Sequence, residues 1–171
     1  MIFFFLVAGA AFYAAGQGAS RTAELGWLEL PGFSEDPEHF FVLHYTDEYW
    51  GRQRNYSLFW DQERQIPIWV AYPLNKRLVG KGSRSGAWQY DKFMAARKQP
   101  NLRRTYQEGS VDGYIRGHLC PSNDRMSPGM NEQTFYFTNM APQDPYLNGG
   151  LWAYLEAYVQ QLALEAGDSE Q

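Results

Sequence analysis

Hydrophobic residues alternate with polar ones in short runs over the first half of this chain. Apolar runs bounded by turn residues predict strands over residues 40–45 and 56–60, and a third over 66–72 after a turn at 61–64. Pro73 is expected to end the third strand or to confine it to a sheet edge, because proline has no N–H group to donate to a neighbouring strand.

The second half of the chain carries loop, helix and strand signals in turn. Residues 80–86 read G-K-G-S-R-S-G, a composition that predicts a loop. Residues 92–98 are expected to form a short helix before Pro100, and residues 114–119 are expected to be extended. The β-branched and aromatic residues over 134–140 predict another strand.

Apolar residues recur at helical spacing near the end of the chain and predict its clearest helix, over residues 151–165. The recurring positions are Trp152, Leu155, Tyr158, Val159 and Leu162. A strand at 114–119, a strand at 134–140 and this helix follow one another in order. A length of 171 residues suits one domain with a well-buried core.

The N-terminal segment is apolar from residue 2 to residue 15 and has no Lys or Arg before Arg21. A membrane span needs about 20 apolar residues, so this segment better fits the hydrophobic region of a secretory signal, although a basic start is missing. We expect a signal peptide or signal anchor over 1–19 and a functional domain over 20–171. A secreted or periplasmic location follows, with no stable membrane association after cleavage.

The amino-acid composition excludes some kinds of site and bears on nucleic-acid binding. The single cysteine excludes an intrachain disulfide framework and a cysteine-based zinc cluster. The net charge of −4 argues against nucleic-acid binding, but the charge is unevenly distributed. Residues 84–125 hold 8 Lys and Arg against 4 Asp and Glu, whereas the residues beyond 125 hold 6 acids and no Lys or Arg. Positive charge is therefore concentrated around His118.

His118 lies in the segment G-Y-I-R-G-H-L-C-P-S-N-D-R at 113–125. Histidine transfers protons near neutral pH because its unperturbed pKa is about 6.5. Arg116 supplies a planar, permanently charged fork that fits phosphate oxygens. In an extended strand the two side chains share one face, since alternate residues point the same way. Arginine beside a candidate base indicates chemistry on a phosphate.

Three sequence blocks resemble the DNA/RNA non-specific endonucleases, the ββα-metal family that includes secreted bacterial nucleases and mitochondrial endonuclease G. The blocks are R-G-H-L-C-P-S-N-D-R at 116–125, T-F-Y-F-T-N-M-A-P-Q at 134–143 and L-N-G-G-L-W-A-Y-L-E at 147–156. The resemblance implies an α+β fold, the ββα-metal (His-Me finger) nuclease fold, with a mainly antiparallel sheet. Family members continue with further strands, so C-terminal strands are expected to be missing here.

The resemblance also implies roles for individual residues in a metal-dependent endonuclease acting on DNA and RNA through phosphate contacts. His118 would activate water, Asn148 would bind Mg²⁺ (with Mn²⁺ as a substitute), and Glu156 would hold a water on the ion. Arg116, with Arg84 upstream, would offset the charge of the phosphate. A structural role stays open for four of these residues: His118 satisfied by backbone hydrogen bonds, Asn148 as a helix N-cap, Glu156 on an exposed helix face and Arg84 as a surface arginine.

Asn139, by the same resemblance, would lie near the scissile phosphate and orient the substrate or the site; a turn-forming Asn before Pro142 is the alternative. Ile115 departs from the family pattern, in which many members carry Asp. His39 and His44 lie in an aromatic strand that contains no acidic residue, Lys or Arg over 39–45, which favours structural roles for both.

Two further functions are compatible with the sequence. The first is a nucleic-acid-binding module that has lost catalysis. The second is a hydrolase in which Cys120 attacks as a thiolate and His118 is its base. Residues two apart on a strand rarely reach the geometry that a base needs, so Cys120 is expected to be a small apolar core residue.

Overall fold

The computed structural model describes residues 2–7, 34–49, 51–80, 84–102, 111–125 and 127–166. Its larger sheet consists of four antiparallel strands, in the spatial order β1-β4-β3-β2. These strands are β1 (Ile2–Val7), β2 (His39–Glu48), β3 (Gly51–Asp61) and β4 (Ile66–Leu74). The three predicted strands at 40–45, 56–60 and 66–72 are confirmed, and each is longer than its apolar run.

Alternate residues of β3 and β4 pack on opposite faces of this sheet. Leu58, Trp60 and Val70 belong to the main core cluster. Phe59 and Trp69 belong to a second, smaller cluster. Successive side chains of a strand point to opposite faces, so both faces of the sheet centre are covered. This explains why the strands read as nearly continuous apolar runs.

The C-terminal helix α3 (Ala153–Glu165) confirms the predicted helix at 151–165, apart from its first two residues. It is preceded by α2 (Pro145–Leu147) and a π-helical turn (Asn148–Trp152). Val159 and Ala163, one helical turn apart, are buried in the main core cluster. Helix α3 therefore packs on the face of the sheet that carries the main core.

The predicted strand at 134–140 is wrong. Thr134 is the last residue of helix α1 (Pro128–Thr134), whose N-cap Ser127 accepts a hydrogen bond from the Met130 amide. A single 3-10 turn, Phe137–Asn139, follows. The aromatic residues of this stretch are almost completely buried, so their apolar character reflects the core and not a strand. The strand itself, β6 (Met140–Gln143), begins where the predicted one ends.

A second, two-stranded sheet pairs β5 (Ile115–His118) with β6 in antiparallel register, from Ile115 opposite Gln143 to His118 opposite Met140. The extended segment predicted at 114–119 is confirmed over its four central residues, 115–118. Strands β5 and β6 and helix α3 form the ββα unit. The molecule is an α+β protein with antiparallel sheets, as the family resemblance implied.

Two local predictions need correction. Strand β4 continues through Pro73 to Leu74 and lies between β1 and β3, so Pro73 neither ends the strand nor confines it to an edge. Its pairing with β3 ends at Ala71, so Pro73 stands opposite β1 alone. Within 92–98 the helix is only a 3-10 turn, Ala96–Lys98. The predicted loop at 80–86 is irregular wherever it is described.

The signal segment predicted over 1–19 lies outside the described residues, except for residues 2–7, which form β1. The boundary at residue 20 and residues 167–171 are also outside them, and these expectations stay predictions. Among the residues that are described, no helix is both long enough and apolar enough to cross a membrane.

Candidate active site

His118 ends strand β5, and its imidazole packs against two aromatic rings, Trp88 and Phe135, whose centroids each lie 4.7 Å from it and 5.3 Å from one another. The residue is 9% exposed, and its Nε2 has no hydrogen-bond partner among the described residues. Burial, together with the charge of Arg84, lowers the pKa of His118 to about 3. The ring is therefore neutral at physiological pH, and backbone hydrogen bonds do not satisfy its Nε2.

Arg116 and Arg84 border the same pocket as His118. Arg116 lies two residues before His118 on β5, so its side chain leaves the strand on the same side. Its Nη2 donates to the backbone carbonyl of Leu102 at 3.2 Å. Arg84 is exposed at the border of the pocket, and its guanidinium carbon lies 5.5 Å from the ring centroid of Phe135.

Asn148 also borders the pocket, and it is not a helix N-cap. The cap of helix α2 is Asp144, whose carboxylate accepts from the amides of Tyr146 and Leu147. Asn148 itself has helical backbone angles, and its Nδ2 donates to Oε1 of Gln143. An N-cap role for Asn148 is therefore wrong, because the residue follows helix α2 and continues into the π-helical turn.

Glu156 reaches the pocket from helix α3, eight residues after Asn148. It is partly buried, so it is not an exposed helix glutamate. Burial, and then the nearby charge of Asp124, raise the pKa of Glu156 to about 7, although the neighbouring Trp152 indole and the charge of Arg84 act in the opposite direction. Its carboxyl group therefore changes charge near neutral pH.

Asn139 does not border the pocket; its side chain is completely buried. Its Oδ1 accepts from the Cys120 amide at 2.8 Å, and its Nδ2 donates to the carbonyls of Cys120 at 2.9 Å and Thr134 at 2.8 Å. Burial excludes contact with a substrate, whereas the bonds to Cys120 and Thr134 agree both with orienting the site and with forming the turn before β6. The bonds fix the chain just beyond His118.

The pocket has a volume of about 230 Å³ and brings five of the six predicted site residues together. These are Arg84, Arg116, His118, Asn148 and Glu156; Pro121, Ser122, Asn123, Gly149 and Ala153 complete its lining. Two permanent positive charges, a neutral imidazole and two oxygen-bearing side chains thus face one space. Such a set suits an anionic substrate that undergoes proton transfer.

Oxygen donors at the pocket fit a hard divalent cation. Within the described part of the chain, no three His, Cys, Asp or Glu side chains cluster in a way that would hold a metal ion. The available donors are the Asn148 amide oxygen, left over when Nδ2 bonds to Gln143, and the Glu156 carboxylate. Mg²⁺ prefers oxygen ligands, keeps several waters and needs few side chains, so these residues match it.

Cys120 is buried completely, and burial raises the pKa of its thiol to about 12. A thiol with such a pKa carries almost no thiolate at neutral pH, and the thiolate is the nucleophile. The residue belongs to the main core cluster, as expected for a small apolar filler. The structure therefore gives no support to a cysteine hydrolase.

His44 has an acidic partner that the sequence did not reveal. Its Nε2 lies 2.7 Å from Oδ2 of Asp91, and both side chains are fully buried. Thr138 donates to the same oxygen at 2.5 Å. His39 likewise contacts Asp36, at 3.1 Å. The expectation that both histidines lack charged partners is wrong, but His44 is not among the residues that line the pocket, which agrees with a structural role.

Three residues near the site were missed at the sequence level: Trp88, Gly117 and Gln143. Trp88 contacts the ring of His118, and a Cβ at Gly117 would overlap the Gln143 side chain. Gly117 and Gln143 both stand inside the sequence blocks that define the family resemblance. Their place in those blocks could have marked both residues as candidates. Their contact could not be predicted, because it depends on the pairing of β5 with β6.

The chain is similar to known nucleases in sequence. The sequence model described as DNA/RNA non-specific endonuclease matches residues 43–170. A nuclease of Nostoc sp. is 35% identical over 117 residues, which is 68% of this chain and 42% of that protein. Mitochondrial endonuclease G of Homo sapiens is 34% identical over 113 residues, which is 64% of this chain and 37% of that protein.

The fold of the chain is also similar to that of a solved structure. A chain in the crystal structure of the EndoG/EndoGI complex, whose subject is the mechanism of EndoG inhibition, superposes with a TM-score of 0.56 and 27% identity. The match covers 70% of this chain and 48% of that chain. The present chain thus spans less than half the length of each of these proteins.

Proposed function

The chain belongs to the DNA/RNA non-specific endonuclease family, and on that premise we propose that it is a Mg²⁺-dependent endonuclease that hydrolyses phosphodiester bonds of DNA and RNA with little sequence preference. The observation that carries the proposal is the pocket in which Arg84, Arg116, His118, Asn148 and Glu156 converge.

His118 is the general base in this proposal. Its ring is neutral over the physiological pH range, and the residue borders the pocket. A neutral imidazole at the pocket wall accepts a proton from water as the water attacks phosphorus. The rings of Trp88 and Phe135 restrict the orientation of the imidazole, which keeps the base aimed at one position.

Arg116 and Arg84 stabilise the additional negative charge that develops on the phosphate oxygens during attack. Arginine carries a permanent positive charge and a fork of donors that matches these oxygens. Arg116 is also held by the Leu102 carbonyl, so part of its orientation is set before substrate binds. Preset donors of this kind need little rearrangement in the transition state.

Asn148 would hold the divalent ion through its amide oxygen, with Glu156 close enough in the same pocket to accept hydrogen bonds from water. A bound Mg²⁺, or Mn²⁺ in its place, supplies positive charge that stabilises the leaving oxygen. The remaining ligands of so sparse a site would come from water and substrate phosphate, which is usual for Mg²⁺.

Low sequence specificity follows from the contacts that such a pocket makes. Its charged groups are suited to the phosphates of a nucleic acid. Contacts with phosphates position the nucleic acid but do not distinguish one base sequence from another. The basic segment 84–125 supplies further positive charge along the chain. We therefore propose both DNA and RNA as substrates.

A secreted or periplasmic location is a separate proposal. It rests on the apolar N-terminal segment over residues 2–15. Expression in a bacterium followed by fractionation and mass measurement of the mature N-terminus tests it. A protein that stays in the cytoplasm with Met1 intact contradicts it.

A plasmid-nicking assay with and without EDTA tests the proposed activity. We expect conversion of supercoiled DNA to nicked and linear forms in Mg²⁺, and no conversion in EDTA. Cleavage that persists in EDTA contradicts metal dependence. Binding of DNA without any cleavage in Mg²⁺ or Mn²⁺ would identify the chain as a non-catalytic binding module.

A further inference from the structure

Gln143 connects strand β6 with the pocket, although it does not border the pocket itself. It is the last residue of β6, is 7% exposed and stands opposite Ile115 of β5. Its side chain runs over Gly117, where a Cβ would overlap the Cγ, Cδ and Oε1 atoms of Gln143. Only glycine at position 117 leaves space for this path.

The end of the Gln143 side chain meets Asn148. Its Oε1 accepts a hydrogen bond from Nδ2 of Asn148. A side-chain amide has one oxygen that can accept and one NH₂ group that can only donate. Because the NH₂ end of Asn148 is committed to Gln143, the oxygen is the end left to interact within the pocket that Asn148 shares with His118 and Glu156.

We propose that Gln143 is a positioning residue that orients the Asn148 amide so that its oxygen faces a divalent cation, and that Gly117 is required because it lets the Gln143 side chain reach Asn148. This inference rests on the proposed function, in which Asn148 is the metal ligand. An amide turned the other way would present N–H donors to a cation, which is repulsive.

The expected size of the effect comes from groups that orient ligands in other metal sites. Removing such a partner costs roughly 10- to 100-fold in metal affinity or activity. A role in packing alone would lower the melting temperature of a variant and leave metal binding by its folded form unchanged. Metal affinity of the folded protein therefore separates the two roles.

The test is Mn²⁺ binding in the absence of nucleic acid, followed by the electron paramagnetic resonance signal of the free ion. Gln143→Met keeps the length of the side chain and removes the acceptor; we expect a Kd about 10- to 100-fold higher. Gln143→Glu keeps an acceptor and is expected to bind Mn²⁺ at least as tightly as the wild type. The Mg²⁺ concentration for half-maximal cleavage should follow the same order.

Gly117→Ala tests the same contact from the other strand, because it leaves Gln143 in place and displaces its side chain. It should weaken Mn²⁺ binding as Gln143→Met does. If Gln143→Met does not fold, Gly117→Ala alone tests whether the Gln143 side chain supports metal binding. Gly129→Ala is the matched control, since its Cβ would meet atoms only at ordinary contact distances of 3.7 Å or more. It should bind Mn²⁺ like the wild type.

Asn148→Ala separates failure of this inference from failure of the proposed metal site. If Asn148→Ala loses Mn²⁺ binding while folded Gln143→Met or Gly117→Ala retains the wild-type Kd, the positioning role is wrong and the metal site stands. If Asn148→Ala binds Mn²⁺ as tightly as the wild type, the metal site itself is wrong, and the inference falls with it.

Discussion

Asn139 is bonded to both backbone polar groups of Cys120: its Oδ1 accepts from the Cys120 N–H at 2.8 Å, and its Nδ2 donates to the Cys120 carbonyl at 2.9 Å. The Leu119 amide adds a bond to the Asn139 carbonyl at 3.0 Å. These bonds tie the residues after His118 to the turn before β6. The position of the proposed base thus depends on a side chain that no substrate reaches.

Replacing Asn139 with alanine is therefore expected to destabilise the fold. It leaves a backbone N–H and two carbonyls without the partners seen here, and a buried unsatisfied group costs about 1–3 kcal/mol. We expect the free energy of unfolding to fall by about 3 kcal/mol, measured by urea denaturation. Asn123→Ala, at an exposed position, is the control and should change it by less than about 0.5 kcal/mol. Equal stability of the two variants would contradict the buried role.

Glu156 leads to a prediction on pH and stability. Its pKa is raised from the ordinary value of 4.5 to about 7 in the folded protein, so the folded state binds more protons than the unfolded state between these values. Stability contributed by this group is therefore present below pH 4.5 and is lost as the pH rises through 7. Glu156→Gln should remove this loss.

The measurement is the difference in melting temperature between Glu156→Gln and the wild type from pH 4 to pH 8. It should grow in favour of the variant as the pH rises. The difference is needed because His118 changes stability with pH in the opposite direction. Its pKa is lowered from 6.5 to about 3 in the folded protein, so its contribution to folding stability rises as the pH increases between these two values. A difference that is constant with pH would show that Glu156 keeps an ordinary pKa.

Binding of nucleic acid should depend steeply on salt. Each phosphate neutralised by the protein adds about −0.9 to the slope of log K against log salt concentration on duplex DNA. Arg116→Ala should reduce the slope by about one, measured by fluorescence anisotropy of a mixed-sequence duplex in EDTA. Arg64→Ala is the control, because Arg64 pairs with Asp61 at the turn between β3 and β4. Affinity that stays flat between low and physiological salt is incompatible with phosphate contacts.

Substitutions of Asn148 distinguish a role in metal binding from a role in stability. Asn148→Ala should abolish cleavage at temperatures where the protein stays folded, and Asn148→Asp should retain metal binding with an altered ion preference, since the ligand gains a charge. Cleavage rates against Mg²⁺ and Mn²⁺ concentration, with melting temperatures in parallel, test this. An active alanine variant with an unchanged metal curve would remove Asn148 from the site.

The strand that carries His118 and the helix that carries Glu156 were predictable, because each has a strong local pattern. The segment 134–140 was not, since buried aromatic residues have the same composition whether they lie in a strand or in a turn. Its true structure is set by the Ser127 cap and by the core. The apolar composition of this segment indicated its burial correctly, but it did not determine its local conformation.

Contacts between distant segments were also beyond the sequence. His44 and Asp91 are 47 residues apart, and only the fold brings them to 2.7 Å. The orientation of a side chain is similarly hidden: Asn139 and Asn148 stand in neighbouring family blocks, yet one is buried in the core and the other borders the pocket. The family resemblance named both residues, and the structure was needed to separate their roles.

The most direct test of His118 as the base is the rate of a single turnover of duplex cleavage by His118→Ala at saturating Mg²⁺, compared with the wild type and with Cys120→Ser. General-base catalysis contributes about 10²- to 10⁴-fold, so we expect a loss of that size in His118→Ala, with the fold and DNA binding retained. Cys120→Ser should cleave at nearly the wild-type rate. Cleavage by His118→Ala within a few-fold of the wild type, or complete loss in a folded Cys120→Ser, would contradict the assignment of His118 as the base.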